Sequence, residues 1–282
     1  MIVDAHHHVW DPGRRRHEWL ADLPALLRRR FGLDDFADAA AAEGIGASVL
    51  VQVLNDTAET EEFLALADGG NLVAAVVGWA DLAGPDVAAE IARLRGLPGG
   101  DRLAGLRHLV QDEPDPNWLG RPDVGRGLRA VGAAGLVFDL LVRPSQLPAA
   151  LRVTAELDEV RFVLDHGGKP EISAGRTEPW AGLVAEMAAL PNLTCKLSGL
   201  VTEAGPAWTP ESFVPYVDHL LESFGPGRLM FGSDWPVCTI AASYAEVIAL
   251  ARELLAARLS EGEQAAVFGS TAASVYRLTV PA

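Results

Sequence analysis

Eight short apolar segments, each followed by a stretch with helical spacing, divide the chain from end to end. Near-continuous apolar strands are typical of a parallel sheet buried on both faces, and strands that alternate with helices indicate βαβ units. The eight repeats therefore predict a (β/α)8 TIM barrel, a fold that commonly takes about 250 residues. The predicted strands cover residues 2–5, 47–53, 72–79, 103–109, 136–140, 160–164, 193–197 and 228–232.

The stretches between these strands carry helix start and stop signals. Asp56 before Thr57 is a candidate N-cap, and Pro210 suits a first helical turn. Gly44 and Gly225 are candidate stops. The predicted helices cover residues 33–43, 57–67, 85–94, 124–134, 146–157, 177–189, 210–224 and 243–259, and an extra C-terminal helix covers 260–274.

An open, doubly wound sheet is the competing architecture. Such a sheet usually has a glycine-rich phosphate turn after its first strand. In this chain that turn contains histidines, and neither GxGxxG nor GxxxxGK[ST] occurs anywhere. No linker divides the 282 residues, so we predict one barrel domain over residues 1–282.

Composition narrows the class of partner. The net charge of −15 would repel nucleic acid, and no apolar run reaches the roughly 18 residues that span a bilayer. No signal peptide is apparent at the N-terminus. Cys195 and Cys238, the two cysteines, fit reduced thiols of a cytoplasmic protein. We therefore expect a cytoplasmic protein that acts on a small molecule, with its oligomeric state left open.

The active site of a barrel lies at the C-terminal ends of its strands. His6 and His8 end the first predicted strand and share one face, with His7 on the other. His166 follows the sixth strand and Asp234 the eighth. These four residues are candidates for one site, although hydrogen-bonded structural histidines are the alternative for each imidazole.

Three imidazoles and one carboxylate suit zinc or a similar divalent ion. Catalytic zinc lowers the pKa of its bound water toward 7, and Asp234 could accept the proton as general base. Without a metal, the histidines could polarise a carbonyl while Asp234 activates water. Both alternatives stay open at this point.

Six segments, in order along the chain, resemble motifs of the amidohydrolase superfamily, in particular its sugar-lactonase branch. They are DAHHHVW (4–10), GLRHLVQDE (105–113), LDHGGKP (164–170), CKLSG (195–199), FGSDWP (231–236) and GSTA (269–272). The resemblance implies a (β/α)8 fold and hydrolysis of 1,4- or 1,5-lactones of sugar acids, such as L-fucono- or L-rhamnono-lactones.

The resemblance also implies residue roles. His6, His8, His166 and Asp234 would bind one divalent metal, with zinc the first choice, or the carbonyl oxygen itself. Asp234 would be the base. Many relatives hold two metals with a carbamylated lysine on strand four, where this chain has Arg107-His108 and no lysine. A binuclear site is therefore not expected, and since some relatives need no divalent ion, activity could be independent of metal.

Several polar and aromatic residues at the strand ends are candidates for substrate contact. The guanidinium of Arg107 could grip a carboxylate or hydroxyls, or pair with Asp139 or Asp81. Tryptophan faces suit a sugar ring. The full set of substrate candidates is Trp10, Gln52, Trp79, Arg107, Lys196 and Trp235, with Trp118 at the same rim. Lys196 and Ser198 could equally stabilise a neighbouring carboxylate.

Other polar residues are expected outside the chemistry. His7 should face the helices, His17 a loop and His219 a helix, and Lys169 is expected to be a solvated charge. Two other functions compete with lactone hydrolysis. One is a metal-dependent decarboxylase of an unsaturated or aromatic acid, and the other is a ligand-binding barrel without catalysis, which the intact set of three histidines and Asp234 disfavours.

Overall fold

The computed structural model describes residues 1–70 and 72–278. Eight parallel strands follow one another around one sheet in chain order, each within a few residues of its predicted position. They are β1 (Ile2–His7), β2 (Ile45–Val51), β3 (Val73–Gly78), β4 (Leu103–His108), β5 (Val137–Leu140), β6 (Arg161–Leu164), β7 (Leu193–Leu197) and β8 (Leu229–Phe231).

The chain after β8 closes the sheet against β1. The Asp234 amide donates to the carbonyl of His6 at 2.8 Å, and the His8 amide donates to the carbonyl of Trp235 at 2.7 Å. These bonds join the last strand to the first, so the predicted (β/α)8 barrel is confirmed. Closure also brings the N-terminal histidines beside a residue more than 200 positions away in the sequence.

Helices surround the barrel and alternate with its strands. They are α1 (Leu33–Ala42), α2 (Thr57–Asp68), α3 (Val87–Arg95), α4 (Pro122–Ala133), α5 (Leu147–Glu156), α6 (Trp180–Ala188), α7 (Leu200–Ala204), α8 (Val214–Phe224), α9 (Tyr244–Ala256), α10 (Glu261–Ala265) and α11 (Thr271–Val275). None of the described helices combines the length and the apolarity needed to cross a membrane.

Three helical segments differ from the prediction. The expected helix over 210–224 begins as a 3-10 turn, and the regular helix starts at Val214, because Pro215 has no amide hydrogen and fits only a first turn. The expected helix over 260–274 is α10 and α11 joined by a π turn. The short helix α7 lies between the predicted strand 193–197 and the predicted helix 210–224, where the sequence indicated neither.

Small and β-branched side chains fill the barrel interior, as the narrow cross-section requires. They come from most of the strands and include Val3, Val49, Val77, Val137 and Val163. Ala272 and Tyr276 from the C-terminal segment join this cluster and close the N-terminal end of the barrel. The larger apolar core lies between the strands and the helices.

Candidate active site

A bulge in β1 turns the histidines into the barrel. β1 has one more residue between its pairings at Asp4 and His7 than β2 has between their partners, and a bulge shifts the alternation of side chains by one. Val3 and Ala5 face the interior by regular alternation, and because of the bulge the rings of His6 and His8 reach the interior as well. The alternation in the sequence predicts that His7 faces away from His6 and His8, but it does not predict the extra residue of the bulge in β1.

Asp234 lies against all three predicted histidines. Its Oδ1 is 3.3 Å from His8 Nε2, 3.8 Å from His6 Nε2 and 4.0 Å from His166 Nε2. The Nε2 atoms of His6 and His8 are themselves 3.2 Å apart. The structure thus brings together at one point the four residues that the sequence placed at three separate strand ends.

Hydrogen bonds to the Nδ1 atoms orient two of these rings. His8 Nδ1 lies 2.7 Å from the Val51 carbonyl oxygen, which can only accept, so this nitrogen carries the proton. The other ring nitrogen of His8, Nε2, therefore faces Asp234. His166 Nδ1 lies 2.8 Å from Ser198 Oγ, which fixes the ring plane and turns Nε2 to the same centre.

Left-handed backbone positions both the histidine after β6 and the aspartate after β8. His166 has φ of 55° and Asp234 has φ of 58°, a region that residues other than glycine rarely adopt and that concentrates at functional sites. Gly199 is required beside them, because a Cβ at this position would lie 2.5 Å from His166 Nδ1. The turn after β7 therefore limits where the imidazole can lie.

Beneath the cluster is a network of buried charges. Arg107 Nη1 lies 3.2 Å from His6 Nε2 and donates to Asp165 Oδ2 at 3.0 Å. Lys196 Nζ lies 3.0 Å from His6 Nδ1, 2.6 Å from Asp139 Oδ2 and 3.0 Å from Asp165 Oδ1. Each cation thus has a carboxylate, as buried charges require, and each ring nitrogen of His6 has one cation within 3.2 Å.

This network sets the protonation of the cluster. Burial would raise the pKa of Asp234, but His166, His8 and Lys169 outweigh it and leave the pKa below its usual value. Burial lowers the pKa of His166 to about 4, and burial together with Lys196 holds the pKa of His6 well below its usual value. At neutral pH the site therefore has an ionised Asp234 beside the neutral imidazoles of His6 and His166.

The donor set fits a divalent metal. His6, His8 and Asp234 place one ligand atom each within 4.8 Å of one another, and His8 Nε2 faces Asp234. Two imidazoles and a carboxylate are ligands that zinc accepts, and His166 Nε2 faces the same oxygen of Asp234. Arg107 lies beside His6 Nε2, so a cationic side chain also reaches this point.

A cavity of about 520 Å³ opens above the cluster, within the range of small-molecule sites. His8, His166, Asp234 and Arg107 form part of its wall. Polar groups of several loops complete the lining: Glu18, Asp22, Gln111, Asp112, Arg143, Lys169, Thr202 and Glu203. The cavity suits a ligand with several polar groups.

Two predicted substrate contacts lie below the cavity wall. Gln52 is buried and its Oε1 accepts from Arg107 Nε at 3.3 Å and Nη2 at 3.1 Å. Lys196 is fully buried and pairs with Asp139 and Asp165. Its contacts therefore match the second possibility raised from the sequence, that Lys196 stabilises a neighbouring carboxylate. Both side chains therefore support residues of the cluster and do not line the cavity.

The predicted tryptophans also differ from expectation. Trp10 is buried, and its indole N–H donates to the Leu27 carbonyl at 3.1 Å. Trp235 is buried against Phe31 and Phe36. Trp79 donates to His108 Nδ1 at 3.0 Å, and Trp118 stacks on His108. None of the four lines the cavity, because packing in the loop layer takes up their faces.

The cavity instead includes residues that sequence reasoning passed over. Trp19 is the tryptophan in its wall. Lys169 is no freely solvated charge, since its Nζ donates to Gln111 Oε1 at 3.1 Å and pairs with Glu203 Oε1 at 3.1 Å. One signal for Lys169 was present in the sequence: it comes three residues after His166, in the same turn.

The remaining histidines lie outside the cluster, as the sequence predicts. His7 stacks on Phe36 with ring centroids 3.7 Å apart. His108 turns away from the lumen and its Nε2 lies 2.7 Å from Glu113 Oε1, while Arg107 faces inward. His17 bonds to the carbonyl of Arg15, and His219 to that of Ala181. Both cysteines are unpaired and buried.

A parallel eight-stranded barrel with imidazoles at the end of β1 and after β6 and an aspartate after β8 defines the class of amidohydrolase barrels. This chain belongs to that family: the amidohydrolase family model matches residues 3–278. The predicted family membership is therefore confirmed.

Two curated relatives are described as L-fucono-1,5-lactonases. The protein from Burkholderia ambifaria is 37% identical over 99% of this chain and 96% of its own length. The protein from Burkholderia multivorans is 39% identical over 100% of this chain and 98% of its own length. A crystal structure of a B. multivorans amidohydrolase with bound zinc superposes with a TM-score of 0.92, at 39% identity over 99% of both chains.

A 5-carboxyvanillate decarboxylase from Sphingomonas paucimobilis shares the fold, with a TM-score of 0.66 over 99% of both chains. Its sequence identity is 16%, so this likeness shows the architecture alone. Similarity at the level of sequence points to the lactonases and not to the decarboxylase.

Proposed function

We propose that this protein hydrolyses the lactone of a sugar acid, with L-fucono-1,5-lactone the first substrate to test. The observation that carries the proposal is an ionised Asp234 beside the imidazoles of three histidines at the floor of a polar cavity. Full-length similarity to two L-fucono-1,5-lactonases supports the substrate class.

Asp234 is the general base. Its Oδ1 faces the imidazoles, and Asp234 forms part of the cavity wall, so a water bound in the cavity at this wall lies within reach of the carboxylate. The carboxylate takes a proton from this water as the oxygen attacks the lactone carbonyl. When the ring C–O bond breaks, the protonated Asp234 returns the proton to the departing ring oxygen, and the products are one open-chain sugar acid and a regenerated carboxylate.

The positive charge of Arg107 stabilises the negative charge that develops on the carbonyl oxygen. The Arg107 guanidinium is fixed by Asp165 and by the Gln52 side chain, so it does not need to reorganise during the reaction. Fixed donors directed at a developing oxyanion often contribute more to catalysis than any other single effect.

Lys169, Gln111 and Glu203 recognise the hydroxyl groups of the sugar. They lie together in the cavity wall and offer an ammonium, an amide and a carboxylate. Two lining residues also have buried polar atoms without a partner among the described residues, Trp19 Nε1 and Thr202 Oγ1. Such a wall favours a polyhydroxylated ring over a flat aromatic acid.

His6, His8, His166 and Asp234 would hold one divalent ion, with zinc the best match to the donors. When bound, the ion would act as a Lewis acid and lower the pKa of a bound water. Arg107 lies next to the same donors, so a cation of the protein already serves the cluster. We propose that part of the activity persists without the metal.

A pH-indicator assay with L-fucono-1,5-lactone, L-rhamnono-lactones and 5-carboxyvanillate tests the function. We expect acid release from a sugar lactone and no CO2 from the aromatic acid. Asp234→Asn should reduce kcat by at least about 100-fold with the fold retained by circular dichroism. Asp218→Asn, on the outer helix α8, is the control and should keep full activity.

The same assay after chelation and metal analysis tests the ion. Residual hydrolysis by metal-free protein that still requires Asp234 is the expected result. Complete loss that zinc restores would show that the ion is obligatory. CO2 release without acid release, or normal kcat in Asp234→Asn, would overturn the proposed function.

A further inference from the structure

A second polar cavity opens at the N-terminal end of the barrel, opposite the Asp234 cluster. Its volume is about 140 Å³, well above the roughly 10–15 Å³ that admits one water. The starts of β3, β4 and β6 and the segment after α11 form its wall. The charged side chains in this wall are Arg95, Asp101, Arg102, Arg161 and Arg277.

The charge of this cavity opposes that of the whole protein. Four arginines and one aspartate give a local charge of +3, in a chain whose net charge is −15. Asp101 neutralises little of it, because its side chain is 80% exposed and its Oδ2 lies 3.8 Å from Arg102 Nε. Arg102 and Arg161 are partly buried whereas Arg95 and Arg277 are exposed, and an anion bound among the four would offset their mutual repulsion.

Two of the guanidinium groups converge on Gly135. Arg161 donates from Nη2 to the Gly135 carbonyl at 2.8 Å and from Nη1 to the Val275 carbonyl at 3.0 Å. A Cβ added to Gly135 would lie 3.4 Å from Arg277 Nη1, so Arg277 folds over the same glycine. Burial and the nearby charge of Arg277 both lower the pKa of Arg161, as expected for like charges held close together.

The backbone at Arg277 supports the same conclusion. Its φ is 51°, a left-handed conformation that costs roughly 1–2 kcal/mol for a residue with a Cβ. Arg277 is exposed to solvent, yet its guanidinium lies beside Gly135 and close enough to Arg161 to lower the pKa of that residue. Strain of this kind is characteristic of functional sites.

We propose that this cavity binds a small oxyanion with two negative charges, either inorganic phosphate or the phosphate group of a metabolite. Guanidinium groups hold such oxyanions through paired N–H donors. Arg161 uses two of its donor nitrogens on carbonyls, and Arg95 and Arg277 make no ion pair within residues 1–70 and 72–278. The site is separate from the lactone site and does not depend on the proposed function.

Isothermal titration with inorganic phosphate, at ionic strength held constant with KCl, tests the site on the full chain. We expect saturable binding of one phosphate per chain, together with a higher thermal midpoint than in KCl alone. Arg95→Gln/Arg277→Gln should weaken binding at least about 10-fold. Arg161 is left intact in this variant because it joins two backbone segments.

Arg126→Gln, which changes an arginine outside the cavity, is the matched control and should bind phosphate normally. Both variants should keep native circular dichroism. A sugar phosphate that binds more tightly than inorganic phosphate would identify a metabolite as the occupant, and equal affinities would identify phosphate itself. Absence of saturable binding, or equal binding by the double variant, would overturn the proposal.

Discussion

Asp234 and Lys169 show how individual residues are used in this site. Both have left-handed backbone, with φ of 58° and 55°, and both reach the same cavity. The ammonium of Lys169 helps keep the pKa of Asp234 low, and its contacts with Gln111 and Glu203 direct it to the cavity wall. A residue that looks like a surface charge in the sequence is thus placed among the groups proposed to bind substrate.

Lys169→Gln should raise KM for L-fucono-1,5-lactone about 10-fold, the effect of losing one hydrogen bond from a charged donor. Hydrolysis of δ-valerolactone, which has no hydroxyl groups, should change by less than about threefold. Steady-state kinetics on both lactones measures this difference. An equal rise in KM on the two substrates would mean that Lys169 acts on the reaction centre and not on the hydroxyls. Arg176→Gln, on the surface, is the control.

Among the elements, the turn between β7 and α7 constrains the site most closely. Gly199 and Gly205 bound α7, and both have positive φ, 65° and 76°. A side chain at Gly199 would meet the His166 ring at 2.5 Å, whereas a side chain at Gly205 would meet nothing within 4 Å. Substitutions at these two glycines therefore distinguish the effect of backbone strain alone from the effect of a direct clash with His166, a candidate catalytic residue.

Gly199→Ala and Gly205→Ala should each lose at least about 1–2 kcal/mol of unfolding free energy, because both force alanine to a positive φ. Gly205, with ψ of −178°, lies in a region that only glycine ordinarily adopts, so its loss should be the larger if backbone strain alone counts. Only Gly199→Ala should also reduce kcat, by at least about 10-fold, since His166 must move. Urea denaturation and lactone kinetics on both variants provide the comparison. Equal kcat values in the two proteins would contradict the constraint on His166.

For the whole molecule, buried carboxyl groups couple stability to pH. Glu59 is buried and accepts hydrogen bonds from the amides of Val53 and Leu54, yet burial raises its pKa to about 7. A carboxyl whose folded pKa exceeds its unfolded value binds more protons when folded. Stability from this group therefore falls as pH rises between the two values.

Glu59→Gln should thus gain stability relative to the wild type as pH rises from about 5 to 8, by about 2–3 kcal/mol. Buried histidines such as His6 and His166, with lowered pKa values, produce the opposite trend below about pH 6.5. The contribution of the histidines is the same in Glu59→Gln and in the wild type, so it cancels in the difference between their free energies of unfolding. Urea melts at each pH measure that difference, and a constant difference would show that Glu59 titrates normally.

The strand and helix positions could be read from the sequence because they depend on local periodicity and on signals such as Asp56, whose side chain accepts from the Ala58 amide as an N-cap. The chemistry-bearing residues after β1, β6 and β8 could be read for the same reason. A parallel barrel places every strand end at one mouth, so order along the chain is sufficient to group them.

Contacts between distant segments could not be read in this way. The bulge in β1, the packing of Trp10 and Trp235 away from the cavity, and the position of Lys169 between Gln111 and Glu203 depend on how loops far apart in the chain meet. The cationic cavity around Arg161 and Arg277 likewise forms only when the C-terminal segment closes the barrel. The periodicity of a sequence predicts which face of its own strand or helix a side chain occupies. Closure of the whole sheet decides which distant residues that side chain contacts.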